Sequence, residues 1–62
     1  MIISYKVKVK TKRGKQYRIT YNGGSFSLMV DVTHRMCESP DVTECIVVMT
    51  DTQGGEQVAR CK

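Results

Sequence analysis

The stretch from Tyr5 to Tyr21, YKVKVKTKRGKQYRITY, holds two alternating runs around a single break. Upstream, Ile3, Tyr5, Val7 and Val9 fall on one side and Ser4, Lys6, Lys8 and Lys10 on the other. Downstream, Tyr17, Ile19 and Tyr21 alternate with Gln16, Arg18 and Thr20. Period-two alternation predicts two half-buried strands. The break between them sets the register. A two-residue loop at Arg13-Gly14 would put Val9 opposite Arg18, on the wrong face. A three-residue loop, Lys12-Arg13-Gly14 with Gly14 left-handed, instead pairs Val9 with Tyr17, Val7 with Ile19 and Tyr5 with Tyr21. The second keeps the apolar residues together, and it opposes Lys8 to Arg18 on the outer face at a cost in stability.

Asn22-Gly23-Gly24 ends this hairpin, and Ser25 to Glu38 admits two readings. At 100° per residue, Phe26, Met29, Val30, Thr33, Met36 and Cys37 share one arc, with Leu28 and Val32 flanking it. As a strand, Phe26, Leu28, Val30 and Val32 alternate with polar residues, but Met29 is misplaced and the pattern stops at Thr33. The longer helical pattern, with serine at its start and Ser39-Pro40 at its end, favours a helix over 26–37. Neither serine has an acid at the capping-box spacing.

After Pro40-Asp41, the run VTECIVVMT from Val42 to Thr50 is apolar at consecutive positions, the mark of a central strand covered on both faces. Its faces are Cys45, Val47 and Met49 against Ile46 and Val48. Asp51 to Gly55 is a turn, and Glu56 to Cys61 a short last strand. The element order is therefore ββαββ, an α+β fold. A right-handed crossover brings the third strand beside the first, which predicts a four-stranded antiparallel sheet of order 2-1-3-4 with the helix on one face. A small all-β barrel is the alternative if 25–38 is extended. The uncovered face would show Lys6, Lys8, Lys10 and Arg18 next to an apolar pair from the third strand, a patch that calls for a partner or a second copy of the chain.

Sixty-two residues allow one compact unit, so a single domain over 1–62 is expected. With 40% hydrophobic and 26% charged residues the chain is too apolar for a disordered tail. A chain this short has little room for an enclosed substrate pocket, which argues against an enzyme. No apolar run approaches the length of a membrane span, and Met1-Ile2-Ile3 is interrupted by Ser4 and Lys6, so no membrane association and a cytoplasmic address are expected.

The net charge of +4 is unevenly placed. Lys6, Lys8, Lys10, Lys12, Arg13, Lys15 and Arg18 put all the charge of the first 24 residues on the positive side, while residues 25–62 are net negative. Such a basic lobe attracts an acidic protein surface or a phosphate backbone; read structurally, it is a solvated strand that discourages edge-to-edge aggregation. Tyr5, Tyr17 and Tyr21 fall on the opposite, core-facing side, whereas single-strand binders interleave aromatic rings with the basic residues.

Three cysteines without a CxxC pattern predict reduced thiols and no disulfide. His34, Cys37, Cys45 and Cys61 are metal-compatible, but zinc sites in small domains usually show two close ligand pairs, and Cys45 and Cys61 stand apart in sequence; no metal and no cofactor are expected. A Cys37/His34 nucleophile pair lacks a cleft. His34 reads as a surface residue near a helix C-terminus, complementing the dipole with Arg35. The glycine pairs match no phosphate-binding loop.

In layout, the hairpin YKVKVKTKRGKQYRITY, a short helix and then SPDVTECIVVMTDTQGGEQVARCK from Ser39 to Lys62 resemble the small ββαββ proteins carried by phages and mobile elements, anti-CRISPR inhibitors among them. The resemblance is one of size and element order and transfers no functional residue. It implies a small non-catalytic protein that inhibits or modulates a larger partner by occupying its surface, in a host cytoplasm if phage-encoded. The basic sheet face, with Lys12, Arg13 and Lys15 at the hairpin tip, is the expected contact with an acidic surface or nucleoprotein complex. A nucleic-acid-binding module using the same stripe is the alternative.

Overall fold

The computed structural model describes residues 1–62. Its elements are β1 (Ile2–Thr11), β2 (Gln16–Asn22), a 3-10 turn at Gly23–Ser25, α1 (Phe26–Glu38), β3 (Val42–Asp51) and β4 (Glu56–Arg60). The strands form one open antiparallel sheet in the order β2-β1-β3-β4, which excludes the barrel. The β1–β2 register is the one the loop length demands: Val9 faces Tyr17, Val7 faces Ile19, Tyr5 faces Tyr21 and Lys8 faces Arg18.

Both hairpins turn in the same way. Thr11 N–H donates to the Lys15 carbonyl and Gly14 N–H to the Thr11 carbonyl; Asp51 N–H donates to the Gly55 carbonyl and Gly54 N–H to the Asp51 carbonyl. The left-handed position in each loop is a glycine, Gly14 at φ 81° and Gly54 at φ 82°, where a side chain would be strained. In the second turn Asp51 Oδ1 also accepts from the backbone N–H groups of Gln53 and Gly55, at 2.9 and 2.8 Å.

The chain leaves β2 through a turn that Asn22 organises. Its Oδ1 accepts from Gly24 N–H at 3.1 Å and from the Ser25 hydroxyl at 3.0 Å. Ser25 sits at the α1 N-cap position but makes no side-chain capping bond, in keeping with the missing acid. At the other end, Ser39 N–H closes the helix on the carbonyls of Arg35 and Met36. Asp31 pairs with Arg35 at 3.4 Å and His34 with Glu38 at 3.0 Å, each across one helical turn on the solvent side.

The core lies between α1 and one face of the sheet. Tyr5, Val7, Val9, Met29, Val42, Cys45 and Val47 are buried, with Ile2, Ile19, Tyr21, Met36 and Met49 packed around them. Tyr5 also meets the Phe26 ring, centroids 5.7 Å apart.

Four expectations need correction. The register of β1 against β3 shifts between Ile2 and Ser4, so Ile2 packs on the core and Ile3 is 48% exposed; a bulge turns the alternation over by one residue. The buried face of α1 is rotated: Met29 is buried and Val32, Thr33, Met36 and Cys37 are partly so, while Phe26 and Val30 remain exposed. β3 is central in strand order but covered on one face only, which leaves Ile46 and Val48 half-buried on the other. Tyr17 is on the helix side, as expected, yet exposed, because α1 does not extend over that end of β2.

Candidate functional site: the open sheet face

The register sets out the face opposite α1 residue by residue. One row across the four strands reads Arg18, Lys8, Ile46, Arg60 and the next reads Thr20, Lys6, Val48, Val58. The row toward the hairpin tip is Gln16, Lys10, Glu44. An apolar strip of Ile46, Val48 and Val58 is thus flanked by Lys6, Lys8 and Arg18 on one side and by Arg60 and Glu56 at the two ends of its β4 side, Glu56 standing opposite Thr50. Val58 is 68% exposed. Ile46 and Val48 are less so, since the aliphatic stems of Lys8 and Lys6 stand beside them in the ladder.

The cations are largely unpaired within the chain. Lys10 Nζ approaches Glu44 Oε2 at 3.9 Å, and no other salt bridge involves this face. Lys8 and Arg18 remain directly opposed, with Lys6 and Lys10 in the adjacent rows. A shallow depression between Lys6, Lys8, Arg18 and Thr20 marks the spot.

Of the seven cations expected to form one surface, the structure brings four together on the open face: Lys6, Lys8, Lys10 and Arg18. Lys12, Arg13 and Lys15 gather separately at the β1–β2 tip, where Lys12 N–H donates to the Asp41 carbonyl at 2.8 Å. At roughly 3.3 Å per residue the tip begins about 13 Å from Lys8, so one small contact cannot use both groups at full strength.

Sequence reasoning missed Arg60 and Val58 as members of the face. The signal was present, because the three-residue loop logic applied to Thr52-Gln53-Gly54 pairs Ile46 with Arg60 and Val48 with Val58, as observed.

On the other side of the sheet, α1 lies over β1, β2 and β3 and leaves β4 uncovered. A groove of about 350 Å³ runs between α1 and the β3–β4 hairpin, lined by Phe26, Met29, Val30, Val47, Met49 and Ala59 among others. Its walls are almost wholly apolar, and His34 at the rim is the one ordinary acid–base group in the lining.

The cysteines depart most from expectation. Cys37 at the end of α1 and Cys61 just past β4 form a disulfide, with Cα atoms 5.8 Å apart and a sequence separation of 24. Cys45 is a buried free thiol in the strand alongside. Cys61 N–H donates to the Cys45 carbonyl, so the three sulfurs lie within 4.8 Å of one another. The thiols that stand apart in sequence therefore converge in space, and the prediction of no disulfide is overturned. With two of the three sulfurs bonded to each other, the cluster as it stands is not a ligand set. Burial pushes the Cys45 thiol pKa up, against the opposing effect of the Lys62 charge. A Cys37–Cys61 bond persists where thiols are not kept reduced, which is not what a cytoplasmic address predicts. No helix of the chain is long and apolar enough to cross a membrane.

Comparison with protein-family models, curated proteins and solved structures finds no match to this chain.

Proposed function

We propose that the chain is a non-catalytic binding protein that inhibits or modulates a larger protein by docking its open sheet face on an acidic surface. One observation carries this reading: the apolar strip Ile46–Val48–Val58 lies beside Lys6, Lys8 and Arg18, with Arg60 and Glu56 at either end of its β4 side, on a sheet face that the fold leaves uncovered. A solvated face has no need of half-buried and exposed β-branched residues in adjacent rows, and apolar side chains set beside charged ones are how protein interfaces are built. The opposed Lys8–Arg18 pair costs about 0.2–1 kcal/mol that an acidic partner would relieve. The resemblance in layout to phage anti-defence inhibitors supports the same class of action.

A second reading, nucleic-acid binding, is favoured by Lys12, Arg13 and Lys15 at the tip, which are exposed and free of acidic side-chain partners. It would rest on phosphate contacts, since no aromatic ring lies on the open face.

The test is recovery of partners from lysate by the native chain and by the Lys8→Thr/Arg18→Thr variant, each with and without nuclease. Docking on protein predicts nuclease-resistant recovery that weakens with salt and is lost in the variant. Recovery that disappears with nuclease supports the second reading. Protein recovery indifferent to the double substitution removes the open face from the binding site.

A further inference from the structure

The exposed edge of β4 is complementary to itself. β4 reads Glu56-Gln57-Val58-Ala59-Arg60 and is the outer strand beside β3, exposed along its whole length. Turned antiparallel against a second copy about an axis through Val58, it sets Glu56 opposite the second copy's Arg60, and Arg60 opposite the second copy's Glu56. The backbone agrees with the charges. In an antiparallel ladder, hydrogen-bonded and non-hydrogen-bonded pairs alternate. Asp51 and Gly55 form a hydrogen-bonded pair at the turn, and Cys61 N–H bonds the Cys45 carbonyl at the far end. Counting inward from either end, Gln57 and Ala59 bond to β3, while the N–H and C=O groups of Glu56, Val58 and Arg60 point out of the sheet. These three residues are the ones that pairing about Val58 would bond to the second copy.

We propose that this edge is a homodimer interface, in which two β4 strands join the sheets into one of eight strands. The two-fold axis stands perpendicular to the sheet, so both helices lie on one side and both open faces on the other. On the helix side, the two grooves, each walled by the exposed Phe26 and Val30, open toward one another across the axis. On the other side, Val58 meets its own copy, and the apolar strips become continuous, with the lysine stripes at the outer ends. The β2 edge cannot serve in the same way. β2 carries Arg18 and no acid, so pairing two β2 edges would bring cations near one another with no opposite charge to face them. A five-residue pairing is short, which places the dimer in the weak class of interfaces.

The inference goes beyond docking on a partner, and its test uses the purified chain alone, so the two stand or fall separately. Sedimentation equilibrium of the native, disulfide-bonded chain from about 10 μM to 1 mM spans the weak range. It is expected to show a reversible monomer–dimer equilibrium. Glu56→Arg or Arg60→Glu alone places like charges at two positions of the interface and should weaken dimerisation at least about tenfold. An equimolar mixture of those two variants has opposite charges at both positions again, and dimerisation should return. Val58→Pro removes an N–H that the monomer does not use and should abolish the dimer while leaving the melting temperature near that of the native chain. A native chain that remains monomeric at 1 mM overturns the proposal. So do single charge reversals that dimerise as well as the native chain, or a mixture that fails to recover.

Discussion

Opening the Cys37–Cys61 disulfide should be the most damaging single chemical change to this fold. The bond closes a loop whose ends are 24 residues apart, taking in the whole β3–β4 hairpin. In the chain-entropy treatment, a loop of that length removes about 11.6 cal/mol/K from the unfolded ensemble, or about 3.4 kcal/mol at 25 °C. A domain of 62 residues unfolds with an entropy of about 0.13 kcal/mol/K. The quotient is a fall in Tm of about 26 °C, an upper figure because unfolded chains are already compact; a fall of about 15–25 °C is expected. Thermal melts followed by far-UV circular dichroism, with and without a phosphine reductant, measure it directly, and mass spectrometry after alkylation counts the thiols. Because either single serine variant leaves a thiol within reach of Cys45, the proper control is Cys37→Ser/Cys61→Ser. That variant without reductant should melt with the reduced native chain. If the oxidised and reduced native chains melt together while three alkylated cysteines are counted, the reasoning from loop closure fails.

Val7→Ala, at a fully buried position, should cost about 2 kcal/mol in urea unfolding, whereas Val58→Ala on the exposed edge should stay within about 0.5 kcal/mol; similar losses would mean that β4 is covered. Gly14→Ala has open space but a positive φ and should cost about 1–2 kcal/mol. Gly23→Ala should cost more than Gly14→Ala, because its Cβ would collide with the Ile2 backbone carbonyl, and an equal or smaller loss would show that β1 gives way there. The Cys45 pKa is raised in the fold, so its contribution is fully present below the ordinary thiol value of about 8.5 and is lost as pH rises through the folded value. Stability measured upward from pH 8 should fall in the native chain beyond any fall in Cys45→Ala, and parallel curves would rule this titration out.

The hairpin register was legible because two local facts coincide, the alternation of Val7, Val9, Ile19 and Tyr21 and a loop with one glycine at the left-handed position. The helix was legible in extent but not in rotation. Its apolar arc is wide enough to allow several orientations, and which one is buried depends on where the crossover from Asn22 sets the axis over the sheet. The Ile2–Ile3 inversion had no local signal, since a bulge is decided by what the partner strand β3 requires. The disulfide was illegible for a related reason: Cys37 and Cys61 meet only once the C-terminal end of α1 comes beside the chain that follows β4. Four of the seven candidate cations, Lys6, Lys8, Lys10 and Arg18, were placed together by strand alternation alone. Arg60 was missed although the same loop-length argument, applied to Thr52-Gln53-Gly54, sets it opposite Ile46.

The content of the open face also bears on what it touches. A surface meant only for phosphate needs cations at a regular spacing and gains little from hydrocarbon between them. Here the two rows that hold Lys8 and Lys6 also hold Ile46, Val48 and Val58, so the apolar side chains stand directly beside the charges across β3 and β4. Burying three such side chains against a partner is worth several kcal/mol by area, more than the neighbouring charges would supply in physiological salt. Charge would then set orientation and rate of approach, and the apolar strip the lifetime of the complex. The two contributions separate experimentally: Lys8→Thr should slow association and flatten its salt dependence, while Val48→Thr, at the centre of the strip, should speed dissociation. Association and dissociation rates that respond in the opposite sense would assign the binding energy to the cations and favour a phosphate-bearing partner.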